Sequence, residues 1–167
     1  MKQIIYIATT PGRLDFLTNI LGSIKNLNYD GKYPIFIESS YYYDWYDFAK
    51  HHDYDEILFL HDSVEMKDLS FFDLVFEKYK GKSVSISGVP YFIMGLGKFL
   101  REPYLATANL FPPTANAYSD YEKIEFQFGT KYCEITHELP VVISPEFTKC
   151  EWKGHRKERH FRSKFGR

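Results

Sequence analysis

Short apolar runs and stretches of helical period alternate along the first half of the chain. Residues 2–8 (KQIIYIA) read as a first strand, followed by a turn over Thr9, Thr10, Pro11, Gly12 and Arg13. Leu14, Leu17, Ile20, Leu21, Ile24 and Leu27 then recur at helical spacing, with Asp15 in the first turn, where a carboxylate suits the positive end of a helix. Residues 28–31 stop that helix, and residues 34–37 form a second strand that ends in Glu38, Ser39 and Ser40. An aromatic, helix-like segment, 41–51, leads to the unbroken apolar run 57–60. A run without alternation is the pattern of a strand buried on both faces. His61, Asp62 and Ser63 follow it directly. Ser70 with Asp73 three residues later reads as a capping box for a helix through Tyr79, and residues 83–87 as a fourth strand.

Strand and helix in alternation predict a parallel α/β sheet. The turns at 9–13, 38–40 and 61–63 then fall at one carboxyl edge, where open α/β sheets bind ligands. Arg13, Glu38 and Asp62 are thereby expected at a single crevice. After Gly88 the character changes. Residues 90–113 mix Gly95, Gly97, Pro103, Pro112 and Pro113 with aromatics and predict a loop-rich segment holding at most a short strand. Residues 120–128 read as a short helix with Asp120 as N-cap and Gly129 as its stop, and 131–135 and 141–143 as strands.

Composition narrows the class. A chain of 167 residues is long enough for one domain with a real core. Its 14 Tyr and 15 Phe supply core, or a lining for sugar and base rings. No N-terminal signal and no apolar run near the roughly 20 residues of a membrane span are visible, so a cytoplasmic protein is expected. Cys133 and Cys150 form no disulfide framework. The formal charge of −1 hides an asymmetry, because residues 153–167 hold seven Lys or Arg against one Glu on an otherwise acidic chain. Such a tail is a solvated end or a contact for anionic partners.

The motifs TTPGRLDFL, FIESS, LHDSVEM and SDYEKIEFQFGTKY occur in that order. Their order resembles that of the GT-A nucleotide-sugar glycosyltransferases, most of all the family 2 group, in an unusually short form. The resemblance implies an α/β, Rossmann-like GT-A fold with a mostly parallel central sheet flanked by helices. It divides the chain into one domain over 1–152 (1–89 nucleotide-binding, 90–152 acceptor and catalytic) and a basic tail, 153–167. It also implies transfer of a sugar from a UDP-sugar (hexose or hexuronic acid) to a saccharide or other hydroxyl acceptor, with inversion and with Mn²⁺ or Mg²⁺. By the same resemblance, Thr9, Pro11, Arg13, Glu38, Ser40, Asp62 and Ser63 would hold the donor. Asp62 and His155 would hold the metal, Arg156 or Lys157 would join Arg13 on the phosphates, and Asp120, with Glu122 next, would be the catalytic base. Ser63 stands where the family has its last metal-binding Asp. The charge of Lys98, in the loop-rich segment, suggests a contact over an acidic sugar.

Other readings stand beside this one. Cys133, His137, Cys150 and His155 are two Cys and two His within a short span, a ligand set used by structural zinc, although the usual closely spaced Cys pair is absent. A non-catalytic nucleotide- or nucleic-acid-binding module would use the basic tail; nucleic acid is the less expected partner. A nucleotidyltransferase lacks support, because no Gly-rich phosphate loop with a Lys is present. A glycosyltransferase that binds nucleotide but has lost turnover is the remaining variant.

Overall fold

The structure, a computed structural model, describes residues 1–9, 12–39, 50–62, 64–86, 97–111, 118–143 and 150–152, with only the backbone described at 38–39, 118–126 and 150–152. Strand β1 (Gln3–Thr9) is followed by helix α1 (Leu14–Asn26) and strand β2 (Ile35–Ser39), and then by β3 (Glu56–His61). β1 lies between β2 and β3 and pairs in parallel with both, so its core residues Ile4 to Ile7 are buried on two faces. This is the expected βαβ start. The larger sheet continues through β5 (Val84–Ser85), β6 (Gly97–Leu100) and β7 (Val141–Val142), in the order β2-β1-β3-β6-β5-β7. β6 is antiparallel to both its neighbours, and β5 pairs in parallel with β7, so only β6 runs against the others. A mostly parallel central sheet flanked by helices is therefore observed. A small second sheet pairs β4 (Val64–Met66) with β8 (Cys150–Trp152), which the sequence pattern did not reveal.

Side chains of alternate strand residues feed two cores, one on each sheet face. Ile4, Tyr6, Ile57, Phe59 and Phe99 pack under helices α3 (Arg101–Ala108) and α4 (Tyr118–Thr136), through Tyr104, Phe128 and Tyr132. Ile5, Ile7, Leu58, Leu60 and Val84 pack under α1, under helix α2 (Ser70–Asp73) and under the π-helical turn Leu74–Lys78 that continues it, through Ile20, Ile24, Phe71, Val75 and Phe76. The aromatic excess is largely core. Phe99, for example, meets Tyr104, Phe128 and Tyr132 with ring centroids 5.2, 5.9 and 5.1 Å away.

Several expectations are corrected here. The short helix, glycine stop and strand expected over 120–135 are one helix, α4, which runs through Gly129. A mid-helix glycine costs about 1 kcal/mol, less than is gained by burying Phe128, Tyr132 and Cys133 on one face. The helix ends instead at His137, a left-handed residue with φ 57°. Within 90–113 the short strand allowed for is β6, and the departure is helix α3: Pro103 sits in its first turn, where its missing N–H costs nothing, while 90–96 and 112–113 lie outside the described residues. Helix α2 (Ser70–Asp73) is not opened by a capping box. Its first turn is held by the Asp68 carboxylate, which accepts the Ser70 N–H at 2.8 Å. Asp73 is drawn away instead to the Tyr33 hydroxyl (2.7 Å) and Lys32 (2.9 Å). Of the helix-like segment 41–51, residues 50 and 51 are helical and the rest lie outside the described residues.

Lys98 is the clearest departure. It is not on a loop over a sugar but on β6, fully buried, with its ammonium 2.6 Å from the Glu56 carboxylate. It also donates to the carbonyls of Val75 (2.9 Å) and Tyr79 (2.6 Å), in and just beyond the π-helical turn Leu74–Lys78 that continues α2. Glu56 in turn accepts Gln3 Nε2 (2.6 Å) and the N–H of Gly81 (2.9 Å), whose φ of +73° favours glycine. The network supplies a donor to the Val75 carbonyl in the π-helical turn and a second donor to the Tyr79 carbonyl, which also accepts the Lys82 N–H at 3.0 Å. Burial lowers the Lys98 pKa, against the pull of Glu56.

Tyr132 ties α4 to the sheet: its hydroxyl accepts the Leu100 N–H at 2.9 Å and pairs with Ser83 Oγ at 2.8 Å. Burial pushes its phenol up to about 12 from 10.0. Tyr132→Phe leaves the part-buried Leu100 N–H and Ser83 Oγ without this partner and is expected to cost about 1–3 kcal/mol in urea denaturation at neutral pH. The unfolded phenol ionises near 10 and the folded one near 12. Its stabilisation is therefore complete below the first value and lost as pH rises through the second. The variant should lose stability less steeply across that window; an unchanged slope would contradict the assignment.

Candidate functional site

β1 lies at the point where the strand order reverses, with β2 on one side and β3 on the other. A parallel sheet binds ligands at the carboxyl ends of such strands. Thr9 is the last residue of β1, and Glu38 and Ser39 pair in register with Ala8 and Thr9, placing the end of β2 at the same edge. Asp62 follows β3, its N–H donating to the Ala8 carbonyl at 3.2 Å. Arg13 is the N-cap residue of α1, reached through Gly12, whose φ of +85° is a left-handed turn conformation that glycine adopts without strain.

These residues converge on the Asp62 carboxylate. Arg13 donates Nη2 to Oδ1 at 2.6 Å and Nε to Oδ2 at 2.8 Å, a two-point fork. Thr9 Oγ1 donates to the same Oδ2 at 2.8 Å. Arg13 and Asp62 are only 2% and 3% exposed, so the pair lies in a poorly screened environment. The guanidinium carbon also sits 4.2 Å from the centroid of the Phe16 ring, a cation–π contact. Sequence reasoning expected Arg13, Glu38 and Asp62 at one crevice; Arg13 and Asp62 meet there together with Thr9, and Glu38 reaches the same edge by its backbone. It missed their mutual ion pair, and it missed Phe16; the one available signal was the one-turn spacing of Arg13 and Phe16.

The other expected residues divide into two groups. Glu38 is at the crevice edge by its backbone, and Asp120 and Glu122 lie in the first turns of α4. Pro11, Ser40, Ser63, His155, Arg156 and Lys157 lie outside the described residues. For the zinc reading, Cys133 is packed in the aromatic core and burial pushes its thiol up, away from the thiolate a metal needs. His137 is exposed on the following turn.

The donor set suits a hard divalent cation in kind. Asp62 and Thr9 offer oxygens, and Mg²⁺-like ions are held by one or two carboxylates together with substrate phosphates. The guanidinium of Arg13 already stands as a cation against both Asp62 oxygens. Among the described residues, no group of three or more His, Cys, Asp or Glu is arranged around a common point. Asp62 is thus the one described carboxylate of this crevice with the chemistry to hold the metal, and it does so only if Arg13 yields.

Two cavities lie elsewhere. One of about 250 Å³ is lined by residues including Leu27, Tyr29, Tyr33, Phe72 and Asp73. Another of about 260 Å³ is lined by residues including Asp53, Tyr54, Arg101 and Pro103. Residues 27–33 of the first precede β2 and residues 53–55 of the second precede β3, which sets both cavities at the amino edge of those parallel strands, away from the crevice.

No family model matches this chain. No curated protein matches it. Solved structures do. A mannosyltransferase from Pyrobaculum calidifontis, in complex with GDP-Man and Mn²⁺, superposes with a TM-score of 0.58 at 12% identity, over 96% of this chain and 59% of its own. This chain therefore spans well under two thirds of that enzyme's length. A glycosyltransferase involved in the glycosylation of the major capsid of PBCV-1 superposes with a TM-score of 0.50 at 12% identity, over 96% of this chain and 97% of its own. At these identities the likeness is one of fold. Among the described residues, no helix is long and apolar enough to cross a membrane.

Proposed function

We propose that this chain is a glycosyltransferase that binds a nucleoside-diphosphate sugar at the carboxyl ends of β1 and β3 and passes the sugar to an acceptor hydroxyl. One observation carries the reading: Thr9, Arg13 and Asp62 converge at the switch point of a fold shared with glycosyltransferases. Arg13 offers a fork that matches phosphate oxygens. Glu38, on the edge beside Thr9, would accept a base N–H, and Thr9, Pro11, Ser40 and Ser63 would complete the donor contacts. Bound Mn²⁺ or Mg²⁺, held by Asp62 with His155, would offset the charge of the leaving diphosphate. In an inverting transfer the acceptor oxygen bonds to the anomeric carbon as its bond to the diphosphate breaks. The acceptor's proton passes to a carboxylate, and Asp120 is assigned that role, with Glu122 as its neighbour.

The donor is read as a UDP-sugar from the resemblance in the sequence, whereas the Pyrobaculum enzyme is in complex with GDP-Man. The burial of Lys98 removes the charge argument for a hexuronic acid. Thermal shift and calorimetry with UDP, GDP, CMP and their common sugars, with and without Mn²⁺, test the reading. A ligand bound at 100 times its Kd raises stability by about 2.7 kcal/mol. Stabilisation by UDP or GDP that increases with Mn²⁺ is expected; no response to any nucleotide would overturn the proposal.

A further inference from the structure

Both oxygens of the carboxylate best suited to a metal are already taken by a cation from the chain itself. Asp62 Oδ1 receives Arg13 Nη2 at 2.6 Å, and Oδ2 receives Arg13 Nε and Thr9 Oγ1, each at 2.8 Å. A divalent ion on those oxygens would sit beside a buried guanidinium, and like charges in so poorly screened a place repel strongly. The two cations therefore compete for one carboxylate. What moves Arg13 is a better partner, and a diphosphate provides one, since its oxygens match the same fork and carry more charge. Phe16, stacked 4.2 Å from the guanidinium, gives the side chain a surface to pivot against while it changes partner.

We propose that Arg13 is the resident occupant of the cation position on Asp62, and that a divalent metal binds there tightly once a nucleoside diphosphate draws Arg13 off and weakly before. The inference rests on the nucleotide-site reading above and adds an order to it. Metal and nucleotide then bind cooperatively, and by linkage each raises the affinity of the other by the same factor. In this account Arg13 is a positioning residue for the metal as well as a phosphate contact.

The test measures Mn²⁺ uptake by the loss of its free paramagnetic resonance signal. It uses the full chain and the variants Arg13→Gln, Arg13→Lys and Asp62→Asn, alone and with UDP or GDP. Wild type alone should bind Mn²⁺ weakly, and the nucleotide it accepts should tighten that by about 5- to 150-fold. Arg13→Gln should bind Mn²⁺ without nucleotide more tightly than wild type by a factor in the same range. Arg13→Lys, which keeps the charge but loses the fork, should fall between them. Asp62→Asn should bind no Mn²⁺ at this site. Equal Mn²⁺ affinity in wild type and Arg13→Gln would overturn the proposal, and if Arg13→Gln does not fold, no gain in Arg13→Lys overturns it. Failure of the nucleotide reading looks different: Mn²⁺ binding would still rise in the Arg13 variants, but neither UDP nor GDP would bind to any of them.

Discussion

Asp120→Asn should lower sugar transfer by about 10²- to 10⁴-fold, the usual contribution of a positioned general base, while nucleotide binding stays as in wild type. The asparagine keeps the shape of the residue and removes only its basicity. A base acts after the donor is bound, so its loss belongs in kcat and not in donor affinity. The measurement is release of UDP or GDP from whichever nucleotide sugar stabilises the protein most, with calorimetry on the same variant. Glu122→Gln serves as the comparison, since it lies in the same helix two residues on. A rate within a few-fold of wild type for Asp120→Asn would leave Asp120 as a helix-start residue. If Glu122→Gln then carries the loss, the role moves to Glu122.

Lys98→Met should destabilise the fold by about 3–5 kcal/mol, because it strips the partner from a buried carboxylate. Lys98 and Glu56 are both essentially unexposed, so water cannot replace the lost ammonium at Glu56 or at the buried Val75 carbonyl. The hydrocarbon of methionine fills the space of the lysine stem, which keeps a cavity from adding to the effect. Urea denaturation measures the change, and it should shift the midpoint without altering the slope. A loss below about 1 kcal/mol is the size of an exposed pair and would contradict the burial of this network. Nucleotide binding by the folded fraction should be unaffected, since the network lies at the amino edge of the sheet.

The contrast between these two residues shows what the sequence made legible. The parallel half of the sheet was readable because β1 and β3 are buried on both faces and its helix, α1, has one apolar stripe. Those patterns survive any tertiary context. The crevice followed from topology alone, which puts the turns that carry Arg13, Glu38 and Asp62 at one sheet edge. The ion pair was not readable. Nothing in local sequence says that Arg13 folds back onto Asp62, 49 residues away, instead of pointing at a ligand. Lys98 was misplaced for a related reason. A lysine among glycines and prolines reads as solvated loop, and its partners, Glu56 and two carbonyls of a π-helical turn, come from distant elements. Gly129 misled in the opposite direction: its local cost is real but small beside the burial of Phe128 and Tyr132.

Backbone amide spectra of the labelled protein, followed during titration with UDP and with GDP in the presence of Mg²⁺, test the central claim most directly. The account predicts that one of the two nucleotides shifts a contiguous set of signals at Thr9, Gly12, Arg13, Glu38, Ser39 and Asp62, with little change at the amino edge of the sheet. Shifts centred instead on the cavity beside Tyr29, Tyr33 and Phe72, or on that beside Tyr54 and Arg101, would contradict it, as would the absence of shifts with either nucleotide.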